Sequence, residues 1–261
     1  MHIWQVGPVY ALVVELYEPI NTLKPVGEHL WVVDGPIVRM AFPGGSMPFP
    51  TRMVVVRLAN GDLFLWSPTE PDDGLRAEID ALGEVRHLVS PNKLHYAHIA
   101  TWKRAYPGAT AWASPGVRER AASQRVDVSF DADLGDLPEE AWSEELDQLV
   151  FRGSRFVEEV IFFHRGTRTL ILADLIQNFE AEKVGGFHAW LLRLGGAADP
   201  DGKAPIDLRL TILGCKKGAR SALERMLGWK PEGVIMAHGR WYDRDGTGEL
   251  RRAFRRLGSK E

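Results

Sequence analysis

A layered α/β protein, with helices packed outside two sheets, is the fold class this sequence predicts. Three observations carry it. The apolar segments open with strands and a hairpin, then run helix, strand, helix, strand, and then repeat the theme. Composition is 45% hydrophobic and 26% charged, which excludes disordered and fibrous chains. The 26 glycines, 16 prolines and nine tryptophans point to many turns around an aromatic core. A plain doubly wound sheet would alternate more strictly and would lack the early hairpin. Neither an internal repeat nor a low-complexity linker is present. The chain therefore reads as one domain over residues 1–261, with 1–28 as N-terminal extension and first strands and 240–261 as a C-terminal helical end.

The elements follow in order. Residues 1–10 read as a loose strand. His29 to Asp34 reads as a strand stopped by Gly35-Pro36, and Ala41 to Pro50 as a loop on its prolines and glycines. Arg52 to Ala59 and Asp62 to Ser67 flank Asn60-Gly61, a strong hairpin signal. Leu75, Ile79 and Leu82 place one apolar face on a helix over 72–82. A strand at 85–90, a helix at 94–106 and a strand at 109–113 come next. Ser114-Pro115 then starts a short helix, with Ser at the N-cap and Pro at N1. Residues 127–147 carry nine acids and no Lys or Arg, which reads as a solvated acidic connection or as a lid screening an active site. Strands at 146–151, 157–164 and 169–173 open the second half. Helices at 187–194 and 219–227, a buried strand at 233–237 and an amphipathic helix at 248–257 complete it.

Lys plus Arg is 32 against 35 Asp plus Glu, a net charge of −3 that exerts no pull toward nucleic acid or acidic membranes. Arg251, Arg252, Arg255 and Arg256 on the last helix read as a solvated basic face. No apolar run reaches the roughly 18 residues that span a bilayer. Glu15 and Glu18 interrupt the only candidate leader, so no signal peptide is read. With Cys215 as the single cysteine, neither an internal disulfide nor a cysteine-built metal cluster can form. These features predict a cytoplasmic protein that acts on a small molecule, with no nucleic-acid or membrane partner. The oligomeric state is open.

Dinucleotide, P-loop, nucleophile-elbow and H-E-x-x-H signatures are absent. The histidines say more. His95 and His98 follow the strand at 85–90, Asp174 follows 169–173, and His238 ends 233–237. Ligands of layered α/β proteins bind beyond the carboxyl ends of strands. His95, Asp174 and His238 therefore form a candidate ligand set for one divalent ion. Such sets suit zinc, iron or manganese. A cluster of ordinary caps and loop residues with no ion is the competing reading. His164, after Phe162-Phe163 and before Arg165-Gly166, reads as a hairpin-end histidine or as a base.

This order of elements resembles the metallo-β-lactamase superfamily from about His29 to Gly239. Leu170-Ile-Leu-Ala-Asp174 resembles its strand ending in a bridging aspartate. Gly233-Val-Ile-Met-Ala-His-Gly239 resembles its last strand and ligand histidine. Gly44-Gly-Ser-Met-Pro-Phe-Pro50, Pro91-Asn-Lys-Leu-His95 and Glu158-Glu-Val-Ile-Phe-Phe-His164 resemble a sub-group known as domain of unknown function 4336. The resemblance implies a four-layer αββα sandwich. It also implies a first metal site that is dismantled. Where the superfamily has H-x-H-x-D-H, this chain has Pro91, Lys93, His95 and Tyr96, and the later histidine falls near Ser154 or Arg155. His95, Asp174 and His238, with Tyr96 nearby, remain for the second ion. Lys93 would then fill the vacant position and pair with Asp174, with Asn92 or Asn178 as supporting donors.

Three functions follow from this reading. The first is a mononuclear metal-dependent hydrolase of a small ester, thioester or lactone, with Lys93, Asp174 and Glu158, Glu159 or His164 in catalytic roles. The second is a metal-free, non-catalytic or ligand-binding descendant of the fold. The third is a mononuclear-iron redox enzyme.

Overall fold

The computed structural model describes residues 15–42, 45–154, 156, 158–183, 196, 198–204, 211 and 215–258. Seven strands make the first sheet in chain order: β1 (Lys24–Gly27), β2 (Leu30–Phe42), β3 (Gly45–Arg57), β4 (Asp62–Trp66), β5 (Glu84–Val89), β6 (Thr110–Ala113) and β7 (Ala132–Asp133). Four make the second, in the order β11-β10-β9-β8: β8 (Leu146–Phe151), β9 (Glu159–His164), β10 (Thr169–Leu172) and β11 (Gly233–Met236). Helices α1 (Asp73–Leu82), α2 (Ile99–Ala105) and α3 (Val117–Ser123) belong to the first half. Helices α4 (Lys216–Gly228), α5 (Gly246–Ala253) and α6 (Arg255–Gly258) belong to the second.

Three apolar layers follow from where the side chains go. Leu30, Val54, Phe64 and Trp66 of the first sheet meet Val150, Val160, Phe162, Ile171 and Ile235 of the second. Leu75, Ile79, Trp102 and Val117 of the first three helices cover the other face of the first sheet. Ala219, Leu223, Met226, Leu250 and Leu257 cover the outer face of the second. Helices outside two face-to-face sheets give the αββα sandwich. Asp72 caps α1 by accepting from the Leu75 amide at 2.8 Å. Gly61, at φ +90°, supplies the left-handed residue of the expected β3–β4 hairpin. Among the described residues no helix is long and apolar enough to cross a membrane.

Several boundaries differ from the sequence reading. The 41–50 stretch is not a loop: β2 runs to Phe42 and β3 starts at Gly45, so it forms the end of a long ribbon. Prolines are tolerated there because β4 pairs only with Val54–Arg57, leaving the earlier part of β3 an edge that needs no N–H on its open side. The 94–106 helix is cut to α2, since the Asn92 side chain accepts from the Leu94 amide and holds a turn. The helix after β6 begins at Val117, after Gly116 at φ +77°, and Ser114 does not cap it. The final helix breaks at Phe254. The strand expected at 1–10 and the helix expected at 187–194 lie outside the described residues. In the acidic stretch, Asp131, Asp133, Asp136 and Asp147 pair with Lys103, Arg118, Arg152 and Arg165. Phe130, Leu134 and Trp142 of the same stretch are buried in the core, as in a packed connection.

Two histidines inside the sandwich make a pH prediction. Burial pushes both His87 and His164 from the usual 6.5 down to about 4. Between about pH 4 and 6.5 the unfolded chain therefore binds more protons, so stability rises with pH across that window and is lost on acidification. Each histidine adds up to about 1.4 kcal/mol per pH unit to the slope. Denaturant unfolding from pH 4 to 7 should show this slope in the wild type and a shallower one in His87→Gln. Identical slopes would contradict the assignment.

Candidate metal centre

The carboxyl ends of four strands meet at one edge of the sandwich. β4 leads to Ser67, β5 to Asn92 and His95, β10 to Asp174, and β11 to His238. Parallel pairing sets the levels: Trp66 lies opposite Val89, and Leu172 opposite Met236. One ligand atom from each of His95, Asp174 and His238 lies within 4.8 Å of the other two. His95 Nε2 is 3.2 Å from Asp174 Oδ2, and His238 Nε2 is 3.6 Å from Oδ1. The two imidazole centroids are 5.3 Å apart. Residues far apart in sequence are thus brought together by the strand ends alone.

The chain fixes the tautomer of His238. Its Nδ1 is 3.0 Å from the Pro50 carbonyl, which can only accept, so Nδ1 carries the proton and Nε2 presents its lone pair toward Asp174. His95 Nδ1 shares a 2.9 Å hydrogen bond with Ser67 Oγ, on a residue held at φ 48°. Trp66 stacks on the His95 ring, and Phe49 and Phe179 pack on His238. Gly239 sits at φ +91° with the Asn178 carbonyl where a Cβ would stand, so only glycine follows His238 here.

Asp174 is embedded in donors. Asn92 Nδ2 donates to Oδ2 at 2.9 Å and Gln177 Nε2 to Oδ1 at 3.2 Å. Burial opposes its charge, but His95, His238 and Asn92 outweigh burial and hold the carboxyl well below the usual range. Burial also pulls His95 down, yet Asp174 and Glu159 lift it above its ordinary value. His238, more buried and facing His95, is pushed down to about 4. Glu159 is fully buried. It accepts from the Ala173 amide at 2.7 Å, the Asp174 amide at 2.8 Å and Asn92 Nδ2 at 3.1 Å. Burial and the neighbouring Asp174 raise its carboxyl.

Other expected residues fall elsewhere. Lys93 does not pair with Asp174: its ammonium lies 4.4 Å over the Phe156 ring. Imidazoles and amides already surround Asp174, and the half-exposed ring of Phe156 offers the cation a contact outside that cluster. His164 cannot act in the cleft. It opposes Thr169 at the start of β10, whereas Asp174 follows the end of that strand. Five residues of β9 separate it from Glu159, roughly 17 Å at strand rise. Its Nδ1 bonds Thr167 instead. Tyr96 packs into the layer beneath α1–α3. The Asn178 side chain donates to Asp199 and to the Arg240 carbonyl, and its backbone amide donates to the His238 carbonyl at 3.3 Å, so it steadies the backbone at and after His238 rather than a ligand atom. Ser67, Gln177 and the Pro50 carbonyl escaped sequence reasoning. Gln177, three residues after Asp174, carried the only local signal.

The donor set suits a divalent ion. Two imidazole Nε2 atoms and one carboxylate converge, and each imidazole Nδ1 is engaged behind it, as ligand histidines require. Among the described residues this is the one such group.

The fold is that of the metallo-β-lactamases, and the three residues that could hold an ion sit at its strand ends. A metallo-β-lactamase from Pontibacter korlensis superposes with TM-score 0.58 at 15% identity, over 94% of this chain and 100% of that one. DIM-1 metallo-β-lactamase exposed to ceftazidime gives 0.60 at 16%, over 92% and 97%. FIM-1 from Pseudomonas aeruginosa, in its mono-zinc form, gives 0.57 at 13%, over 91% and 96%. No curated protein matches in sequence. More particularly, residues 45–188 match the model of the family described as domain of unknown function (DUF4336), and the chain belongs to that family.

Proposed function

We propose that this protein is a mononuclear metal-dependent hydrolase of a small ester, thioester or lactone. The observation that carries the reading is the His95–Asp174–His238 cluster, with the His238 proton fixed on Nδ1 by Pro50. Those three residues would hold the ion, with zinc first and iron or manganese as alternatives. When bound, the ion supplies Lewis acidity at neutral pH. A solved neighbour on this fold carries a mono-zinc description, which agrees with a one-ion centre.

The remaining chemistry belongs to the chain. Asp174, kept anionic, offers Oδ1, the oxygen with the longer contacts, as the acceptor that would orient a water toward the substrate. Glu159 has its oxygens committed to three donors, so it supports and does not transfer protons. Lys93, two residues from His95, lies over the Phe156 ring, so the pair offers a cation to a substrate carboxylate and a ring to its apolar part. Among the described residues Lys93 has no carboxylate partner.

The test is a panel of 4-nitrophenyl esters, thioesters and lactones assayed before and after chelation and again after zinc, iron or manganese is restored. Activity that disappears with the metal and returns with one of them supports the reading. Activity indifferent to chelation sinks it. A metal-free descendant is favoured by the three donors that already satisfy Asp174 within the chain, and it predicts no activity in any state. Lys93→Ala should raise KM for a carboxylate-bearing ester a few-fold, an effect of about 1 kcal/mol, and leave its neutral counterpart unchanged. Equal effects on both esters would remove Lys93 from substrate recognition.

A further inference from the structure

We infer that Arg52 is a positioning residue that clamps His238, so that β3 sets both the backbone and the ring of this ligand. Arg52 Nη1 donates to the carbonyls of Met236 at 2.9 Å and Gly239 at 2.7 Å, on either side of His238. Its Nε and Nη2 donate to Asp34 Oδ1 at 2.8 and 2.7 Å. Asp34 in turn takes Lys24 Nζ at 2.9 Å. Arg52 and Asp34 are 3% and 5% exposed, so the guanidinium is held from two sides in a desolvated setting.

Two residues earlier on the same strand, Pro50 accepts the His238 Nδ1 proton. That carbonyl is available because β4 pairs only from Val54 onward and leaves this part of β3 bare. Arg52 therefore fixes where the turn after β11 stands, and Pro50 fixes how the imidazole is turned. A buried ion pair by itself adds little stability. Here one donor nitrogen spans two carbonyls that flank a ligand, and a lysine ammonium cannot reproduce that fork while also holding Asp34.

The inference rests on the metal-centre reading only for its zinc readout. Arg52→Lys keeps the charge next to Asp34 and loses the fork. The double change Arg52→Met with Asp34→Leu removes both buried charges and leaves no unpaired carboxylate. In each full-length variant, zinc affinity by chelator competition is expected to fall about 10- to 100-fold with an unchanged circular-dichroism spectrum. In metal-free protein, the slowly exchanging Nδ1 proton of His238, seen by ¹⁵N NMR in the wild type, is expected to disappear in both. A folded variant that keeps either this proton signal or wild-type zinc affinity overturns the inference, as does a wild type lacking the signal. If the wild type binds none of zinc, iron or manganese, the proposed function fails; if it binds no zinc, the proton signal alone decides the clamp. If the double variant does not fold, Arg52→Lys decides. If Arg52→Lys does not fold either, Arg52 serves the fold alone and the inference is wrong.

Discussion

Asp174→Ala is expected to abolish stoichiometric metal binding and with it all metal-dependent hydrolysis. Asp174 is the one anion among the three residues proposed to hold the ion, and both imidazoles are oriented onto its oxygens at 3.2 and 3.6 Å. Loss of a residue that merely supports a ligand costs about 10- to 100-fold in affinity, so loss of this carboxylate should exceed about 100-fold. The fold should survive, because the Asp174 backbone amide still donates to Glu159. His95 should also titrate lower once its partner carboxylate is gone, since Asp174 is the main group raising it against burial. Isothermal titration with zinc, beside an unfolding curve, checks both halves. A variant that retains near-wild-type zinc affinity would place the ion elsewhere.

Glu159→Ala should do the reverse and damage the fold first. Its two oxygens serve the Ala173 and Asp174 amides and the Asn92 side chain, all inside the protein. Each buried donor left without a partner costs about 1–3 kcal/mol, so the three together cost on the order of 3–5 kcal/mol once some water enters. Metal binding should weaken as well, because the turn carrying Asp174 is built on this carboxylate. Glu159→Gln should cost less, since its carbonyl still accepts one amide. Denaturant unfolding of the two variants gives the ranking, and an Ala variant as stable as wild type would show that Glu159 is not an anchor.

The sequence makes the two sheets and their strand ends legible for a physical reason. Leu170-Ile-Leu-Ala and Gly233-Val-Ile-Met are short apolar runs bounded by polar residues, as strands buried on both faces must be. Asp174 and His238 follow directly from where those runs stop. The resemblance added the four layers and the loss of the first metal motif.

Other features could not be read because they depend on direction or burial rather than residue type. Lys93 has the right charge to pair with Asp174, but a charge carries no heading, and the ammonium turned to Phe156. His164 and Glu159 are near neighbours in sequence, yet an extended strand carries them to opposite ends of the sheet. Glu159 looked like a base until its burial made it a scaffold. The prolines of 45–50 signalled a loop because their tolerance on a bare strand edge becomes visible only once the partner strands are known.

X-ray diffraction from zinc-loaded crystals at the zinc absorption edge decides whether His95, Asp174 and His238 hold one ion. One anomalous peak per chain is expected, with His95 Nε2, His238 Nε2 and an Asp174 oxygen each about 2.0–2.2 Å away. A peak held by other residues, or no peak in fully zinc-treated crystals, would contradict it.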